Sequence, residues 1–347
     1  MNGSQKNRRA NMKIGKIDLE KKVFVIAEVG GNHGGDPDLA KKYIREAAKT
    51  GVDAVKFQMI KSEKLVVEDA PVVPPVTKYK TQREWFRSLE FSPDEWTELA
   101  TIARKNGVLF LASVFDTESA DLLDKLSPAF KIASGDLTNL PLIRHVAKKD
   151  KPIILSTGGA TPQEIARAIK EVPKNILVLM HCISTYPCNE EDTNLLRIPF
   201  LKKKFNVTVG YSDHTMGILA PQVAVALGAR VIEKHFVLDR SQPIGDSVLS
   251  AEPDEMKEMV KNIRRVEKML KLRLEPSKTE KKFLISLRRS LAAKVDIPRN
   301  SVITETQLVP LRPATGISPL MIDEVCGKRA KRNIRKGEII TEKDLMN

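Results

Sequence analysis

Lys56 and Lys131 lie near the ends of two β-branched runs, AVKFQ (54–58) and FKIAS (130–134), and Ser113, Ser134, Ser156 and Ser212 end or follow four runs. Ammonium groups and hydroxyls that converge on one point form a receptor for a phosphate and a carboxylate on one small molecule. One lysine at a strand end is bland. Two lysines, each flanked by apolar residues at period 2, put charge on an inward face, and inward charge needs an anionic partner. His214 and His235 end the last two runs and should be spatial neighbours; a pair of neutral imidazoles suits a divalent metal. Glu28 ends the first run, beside the last one if the sheet closes, where it would orient a metal-bound water or serve as a general base. A salt bridge from Glu28 to Lys56 or Lys131 is compatible with either role. His145 and His181 have no such context and read as structural.

Stepping from residues to elements, the runs are VFVIAE (23–28), AVKFQ (54–58), LFLAS (109–113), FKIAS (130–134), IILST (153–157), LVLMH (177–181), VTVGYSDH (207–214) and VIEKH (231–235). Helical stretches separate most of them. Apolar strands that end in polar residues, alternating with helices, predict an α/β fold of the (β/α)₈ (TIM) barrel type, whose site is assembled where the strands end. The helices carry ordinary punctuation: Asp36 opens 36–51, Ser-Pro-Asp-Glu opens 92–107, and Thr161 with Glu164 has capping-box spacing. The proline-bearing stretch 66–90 interrupts the second unit and predicts a lid or substrate loop. GGNHGGD (30–36) is a loop of small residues but no nucleotide fingerprint. STGG (156–159) precedes a helix whose N–H groups would face an anion.

A chain of 347 residues exceeds the roughly 250 of one barrel, so a second domain is expected. The divisions read as a polar, flexible tail (1–20, with Met12 a second candidate start), the barrel (21–272), a charged linker (273–285) and a β-rich module (286–347). In that module DIPRNSVITETQL and NIRKGEIITEKDL are two versions of one pattern. With 41% hydrophobic residues the chain has material for a large core, which excludes general disorder. No apolar run is long enough for a membrane helix, and the N-terminus lacks a secretory signal. Three cysteines make no disulfide framework, which fits a cytoplasmic enzyme. The net charge of +14 is spread over helices amid acidic residues, and only 5% of residues are aromatic, so a nucleic-acid surface is not expected.

With these residues in hand, the chain resembles the sialic acid (N-acetylneuraminate) synthase family. The segments that carry the resemblance are IAEVGGNHGGD, DAVKFQ, FKIASGD, LSTGGAT, HCISTYP, GYSDHTMGI and IEKHF, in the family's order; RPATGI and the repeated turns resemble its C-terminal antifreeze-like SAF domain. The resemblance spans about residues 20–347. It implies condensation of phosphoenolpyruvate with an N-acetylmannosamine-type aldose, with a divalent metal (Mn²⁺ or Mg²⁺) and release of phosphate. Lys56, Ser113, Lys131, Ser134, Ser156, Ser184 and Ser212 would then hold phosphoenolpyruvate, and His214 and His235 the metal. Gln58, Tyr186, Asp246 and Arg312 would address the sugar, Arg312 from the partner subunit of a domain-swapped homodimer. Asp136, also placed by the resemblance at the sugar, competes with Glu28 for proton handling.

Several positions depart from common family patterns. Ser113 stands where a threonine is frequent, Ser184 where some members have asparagine, and RPATG replaces RPG-x-G, adding a methyl at Ala314. After Asp246 comes Ser247, as in some pseudaminate-type relatives, whereas FKIASGD and VKFQ fit the neuraminate or legionaminate branch. The acceptor is therefore N-acetylmannosamine, its 6-phosphate or a 6-deoxy diacetamido hexose. Remoter alternatives are a Schiff-base aldolase using Lys56 or Lys131, and a non-catalytic carbohydrate-binding protein.

Overall fold

A computed structural model describes residues 12–72, 78–241 and 245–346. By contacts the chain divides after Leu270 into two compact units.

The first unit opens with a hairpin of two-residue strands, β1 (Lys13–Ile14) and β2 (Ile17–Asp18). The expected flexible tail over 1–20 is thus corrected for residues 12–20. Met12, Ile14 and Leu19 are buried against interior side chains of the barrel, among them Phe24, Ile26, Leu111 and Ile154. Apolar burial explains why this short segment orders, at about 1.5–3 kcal/mol per fully buried aliphatic side chain.

All eight expected strands form. They are β3 (Phe24–Gly30), β4 (Ala54–Met59), β5 (Leu109–Val114), β6 (Phe130–Ile132), β7 (Ile153–Ser156), β8 (Leu177–His181), β9 (Thr208–Asp213) and β10 (Val231–His235). All their pairings are parallel, and β10 pairs with β3 to close the barrel. Alternation explains the sequences: outward residues such as Val25, Val55 and Leu155 join the helices in a continuous core. The inward series begins apolar (Phe24, Ile26, Ala54, Leu111) and becomes charged or hydroxylic one or two pleats later (Glu28, Lys56, Ser113). The inward polar positions therefore gather toward the C-terminal ends of the strands and in the residues just after them.

Local signals set the helices that hold this wall. Asp36 accepts from the amides of Asp38 and Leu39 ahead of helix Pro37–Lys49. Capping boxes at Ser92/Glu95 and Thr161/Glu164 start Pro93–Lys105 and Pro162–Ala168. The insertion at 66–90 contributes helix Gln82–Arg87 and a bridge from Pro71 to Thr81; residues 73–77 lie outside the described residues. None of its described residues lines the cavity at the strand ends, so the lid expectation gains no support from them.

In the second unit, the segment expected as a linker (273–285) holds most of a helix, Lys278–Leu287, started by a Ser277/Glu280 capping box. Strands β11 (Ser290–Ala293) and β12 (Leu308–Leu311) pair antiparallel. The two copies of the repeat behave alike. Ile297 and Ile334 exchange backbone hydrogen bonds of 2.8 and 2.9 Å, and Ile303 and Ile340 are buried in one core. Thr304 and Thr341 each cap a 3₁₀ turn, and the turn positions Asn300 and Gly337 both have positive φ (67° and 86°).

Truncating Ile14 to alanine should leave the barrel base underfilled. We expect I14A to lose about 2–4 kcal/mol of unfolding free energy in urea titration.

Candidate active site

The strand ends surround a cavity of about 500 Å³. Register brings its walls together: Glu28 pairs with Lys56 between β3 and β4, Gln58 with Ser113 between β4 and β5, and Ser113 with Lys131 between β5 and β6. On the other side His235 pairs with Glu28 across the closing seam, and Glu233 with Ser212. Lys56, Lys131, Ser113, Ser134, Ser156, Ser184 and Ser212 all line this cavity, as do Glu28, Gln58, Tyr186, Asp246, His214 and His235.

Two expected residues do not line it. Asp136 sits in the 3₁₀ turn Ser134–Asp136, and its carboxylate accepts from Asn139 Nδ2 at 3.0 Å. Burial raises its pKa, against that hydrogen bond and the charge of nearby Lys131, so it stands within electrostatic reach of a cavity lysine. Arg312 belongs to the second unit, exposed in the loop after β12 at a cis Arg312–Pro313 bond.

The electrostatic centre is Lys56. Its Nζ lies 2.7 Å from Glu28 Oε2 and 3.7 Å from Glu233 Oε2, and it donates to Ser113 Oγ at 3.2 Å. Burial works against its charge, but Glu233 and Glu28 outweigh burial and raise its pKa. The two carboxylates are driven apart. Burial, aided by the like charge of Glu233 and resisted by Lys56, raises Glu28 to about 7. Glu233 is equally buried, yet Lys56, Lys131 and a 3.0 Å hydrogen bond from Ser212 hold it down at about 2. One carboxyl therefore carries a proton near neutrality while its neighbour is ionised, the arrangement expected of an acid–base site. Burial lowers the pKa of Lys131, whose Nζ donates to the carbonyl of Ile132 at 3.0 Å.

The serines are shaped around a small space. Ser134 Oγ accepts from the Gly158 amide at 3.0 Å and lies 3.1 Å from Cys182 Sγ. A Cβ on Gly158 would stand 2.2 Å from Ser184 Oγ and 2.9 Å from Ser134 Oγ, so glycine is required for the three loops to meet.

His214 and His235 approach with ring centroids 5.4 Å apart, and Tyr186 lies against His214 at 4.2 Å. Burial, with His235 nearby, lowers His214 to about 4; burial, with Lys56 nearby, lowers His235 to about 3. Both are neutral at pH 7, the form that ligates metal. His214 commits Nδ1 to the carbonyl of Ile183 at 2.6 Å, which leaves Nε2 its lone pair. The Nδ1 of His235 is buried with no hydrogen-bond partner among the described residues. No cluster of three His, Cys, Asp or Glu side chains suited to a metal occurs among the described residues. The two imidazoles are donors of the kind that ligate a divalent ion, and no third such side chain joins them among the described residues.

The family matches agree with this architecture. The NeuB family model matches residues 43–273, and the SAF domain model matches 288–346. The chain belongs to the NeuB family. It is 41% identical to the N,N'-diacetyllegionaminic acid synthase of Campylobacter jejuni over 93% of this chain and 100% of that one. It is 39% identical to the pseudaminic acid synthase of the same species over 96% and 99%. A crystal structure of N-acetylneuraminic acid synthetase from Leptospira borgpetersenii superposes with a TM-score of 0.72 at 36% identity, covering 79% of this chain and 95% of that one. The barrel followed by a SAF domain is accordingly the fold of a NeuB-family chain.

Sequence reasoning missed Glu233 and Cys182 as wall residues. Glu233 was legible: it shares period 2 with His235 in VIEKH, and so shares its face. His181, read as structural, is fully buried with Nε2 on the carbonyl of Thr193 at 2.7 Å, and His145 pairs with Asp121 at the surface.

Two outcomes check this geometry. Gly158→Ala should push the loops carrying Ser134 and Ser184 apart and lower the melting temperature, and calorimetry with inorganic phosphate as a probe anion should show weaker binding than in the parent. For Glu28, a folded pKa raised from 4.5 to about 7 means the folded state holds its proton more tightly. The stability Glu28 contributes relative to Glu28→Gln is then complete below about 4.5 and lost as pH rises through about 7. Urea titrations of the metal-free proteins across that window would show it.

Proposed function

We propose that this NeuB-family chain is a nonulosonic (sialic) acid synthase, a transferase that joins phosphoenolpyruvate to an N-acyl amino sugar, with water, and releases phosphate. The observation that carries the reading is the pairing, in one cavity, of a lysine–serine receptor with two neutral imidazoles on adjacent strands. A receptor for a phosphorylated carboxylate beside a metal-type site matches a condensation of an enol phosphate with an aldehyde.

The residues supply the following steps. Lys56 and Lys131, with Ser113, Ser134, Ser156, Ser184 and Ser212, hold the phosphate and carboxylate of phosphoenolpyruvate and fix its enol carbon toward the acceptor. His214 and His235 would hold a divalent cation (Mn²⁺ or Mg²⁺), which when bound polarises the aldehyde oxygen. The enol C3 bonds to the aldehyde carbon, whose oxygen takes up a proton to become a hydroxyl, and C2 is left electron-deficient; water adds at C2 and loses a proton; the C2–O bond to phosphate then breaks as the new C2 hydroxyl gives its proton to the departing phosphate, leaving a 2-keto acid. Glu28, poised near neutrality, exchanges the proton that water loses, and ionised Glu233 stabilises positive charge at C2. The lysines stabilise the departing phosphate. Gln58, Tyr186 and Asp246 address the sugar. Arg312 joins them from a second copy of the chain in a domain-swapped homodimer. We place the protein in the cytoplasm, where phosphoenolpyruvate is available; among the described residues no helix is long and apolar enough to cross a membrane.

The acceptor is N-acetylmannosamine or a 6-deoxy diacetamido relative. The test is phosphate release from phosphoenolpyruvate with Mn²⁺ or Mg²⁺, offering N-acetylmannosamine, its 6-phosphate and 6-deoxy diacetamido hexoses in parallel. We expect release with one of them, abolished by EDTA, with the condensed acid seen by mass spectrometry. Lys131→Met should lower kcat/KM by about 100-fold or more. The lowered pKa of Lys131 also suits a Schiff-base amine. Trapping of pyruvate on Lys131 by borohydride would replace the synthase reading with an aldolase.

A further inference from the structure

The two imidazoles are each preceded by a charged residue that faces the other way. Asp213 comes before His214 and Lys234 before His235, and strand alternation turns both to the outer surface of the barrel wall. There they are wholly buried, beside Tyr211 of the barrel–helix core. Lys234 Nζ donates to Asp213 Oδ2 at 2.8 Å and to the carbonyl of Thr215 at 2.5 Å. Asp213 Oδ1 accepts from the Tyr211 hydroxyl at 3.0 Å, and from the Thr215 amide and hydroxyl at 3.0 and 2.9 Å.

A buried ion pair is a poor way merely to fill an apolar layer, because both charges must leave water. What it adds is direction. Here one ammonium grips the residues on both sides of His214, and that ammonium belongs to the residue before His235. The tie therefore spans the two imidazole-bearing positions from behind. It matters most for His235. His214 is also held by its own ring, through Ile183, and by its carbonyl, which accepts from the Cys188 amide at 2.8 Å. The His235 ring has no hydrogen bond through Nδ1 among the described residues, and Asp246 Oδ2 stands 3.7 Å off. Its place is set by its backbone.

We propose that Asp213 and Lys234 form a clasp that sets the separation of His214 and His235 for one divalent cation. They are positioning residues that touch neither cation nor substrate. The inference rests on the reading of the histidine pair as a metal site, and it adds a cause for that site's geometry. Partners behind metal ligands typically change metal affinity by about 10–100-fold when removed.

The experiment is Mn²⁺ binding to the metal-stripped full chain, by electron paramagnetic resonance of free Mn²⁺, with folding followed by circular dichroism. Lys234→Met should weaken Mn²⁺ about 10–100-fold. Thr215→Val and Tyr211→Phe, which each remove one donor to Asp213 and keep the shape, should weaken it by a smaller factor, and they decide the matter if K234M does not fold. Asp53→Asn is the control for general destabilisation. Asp53 is a buried carboxylate at the other end of the barrel, paired with Arg264 at 2.9 Å, so D53N should melt earlier yet bind Mn²⁺ as the parent does. Parental affinity in the clasp variants, or equal weakening in D53N, overturns the clasp. If the parent binds no Mn²⁺, or the His214→Ala/His235→Ala double variant binds it unchanged, the metal reading itself falls and takes the clasp with it.

Discussion

A single ammonium group, Lys56 Nζ, stands between two buried carboxylates, and the barrel's polar mouth is organised around that imbalance. Burial of both carboxylates beside that one close ammonium leaves Glu28 holding its proton up to about pH 7. Lys131 and Ser212 both favour ionised Glu233. Burial, helped by Lys56 beside His235 and opposed by Glu233, keeps the neighbouring imidazoles neutral. Acid, base and ligand characters are thus consequences of one packing arrangement.

That arrangement is possible because the strands alternate. Each carries apolar residues inward at its base and a polar one near its end, and outward residues feed the helix-facing core. The barrel therefore separates stability from chemistry along its axis. Outward positions near the mouth also carry charge, where Asp213 and Lys234 pair behind the histidines.

The eight strands were legible because long, β-branched runs have few other structures open to them. Lysines, serines and histidines at their ends were legible for the same reason. Parity stops being a guide once a strand stops: β6 ends at Ile132, and Asp136 follows in a 3₁₀ turn, so strand alternation says nothing of where it faces. The hairpin at 13–18 was illegible because two-residue strands show no period, and its order comes from the barrel base it fills. The helix in the expected linker had a readable signal, Ser-x-x-Glu at 277–280, masked by the charge around it. In the second unit the repeat was visible because both copies need the same turn and the same capped 3₁₀ step.

The hairpin that stops the barrel's base also gives the cavity a traffic rule. With Met12, Ile14 and Leu19 packed into the floor, molecules enter and leave through the mouth where Tyr186 is half exposed. The lysines lie deeper, almost wholly covered. A molecule that reaches Lys56 or Lys131 therefore lies deeper in the cavity than one that touches Tyr186. Among the described residues the vessel is corked at its base, and depth along its axis separates what the lysines touch from what Tyr186 touches.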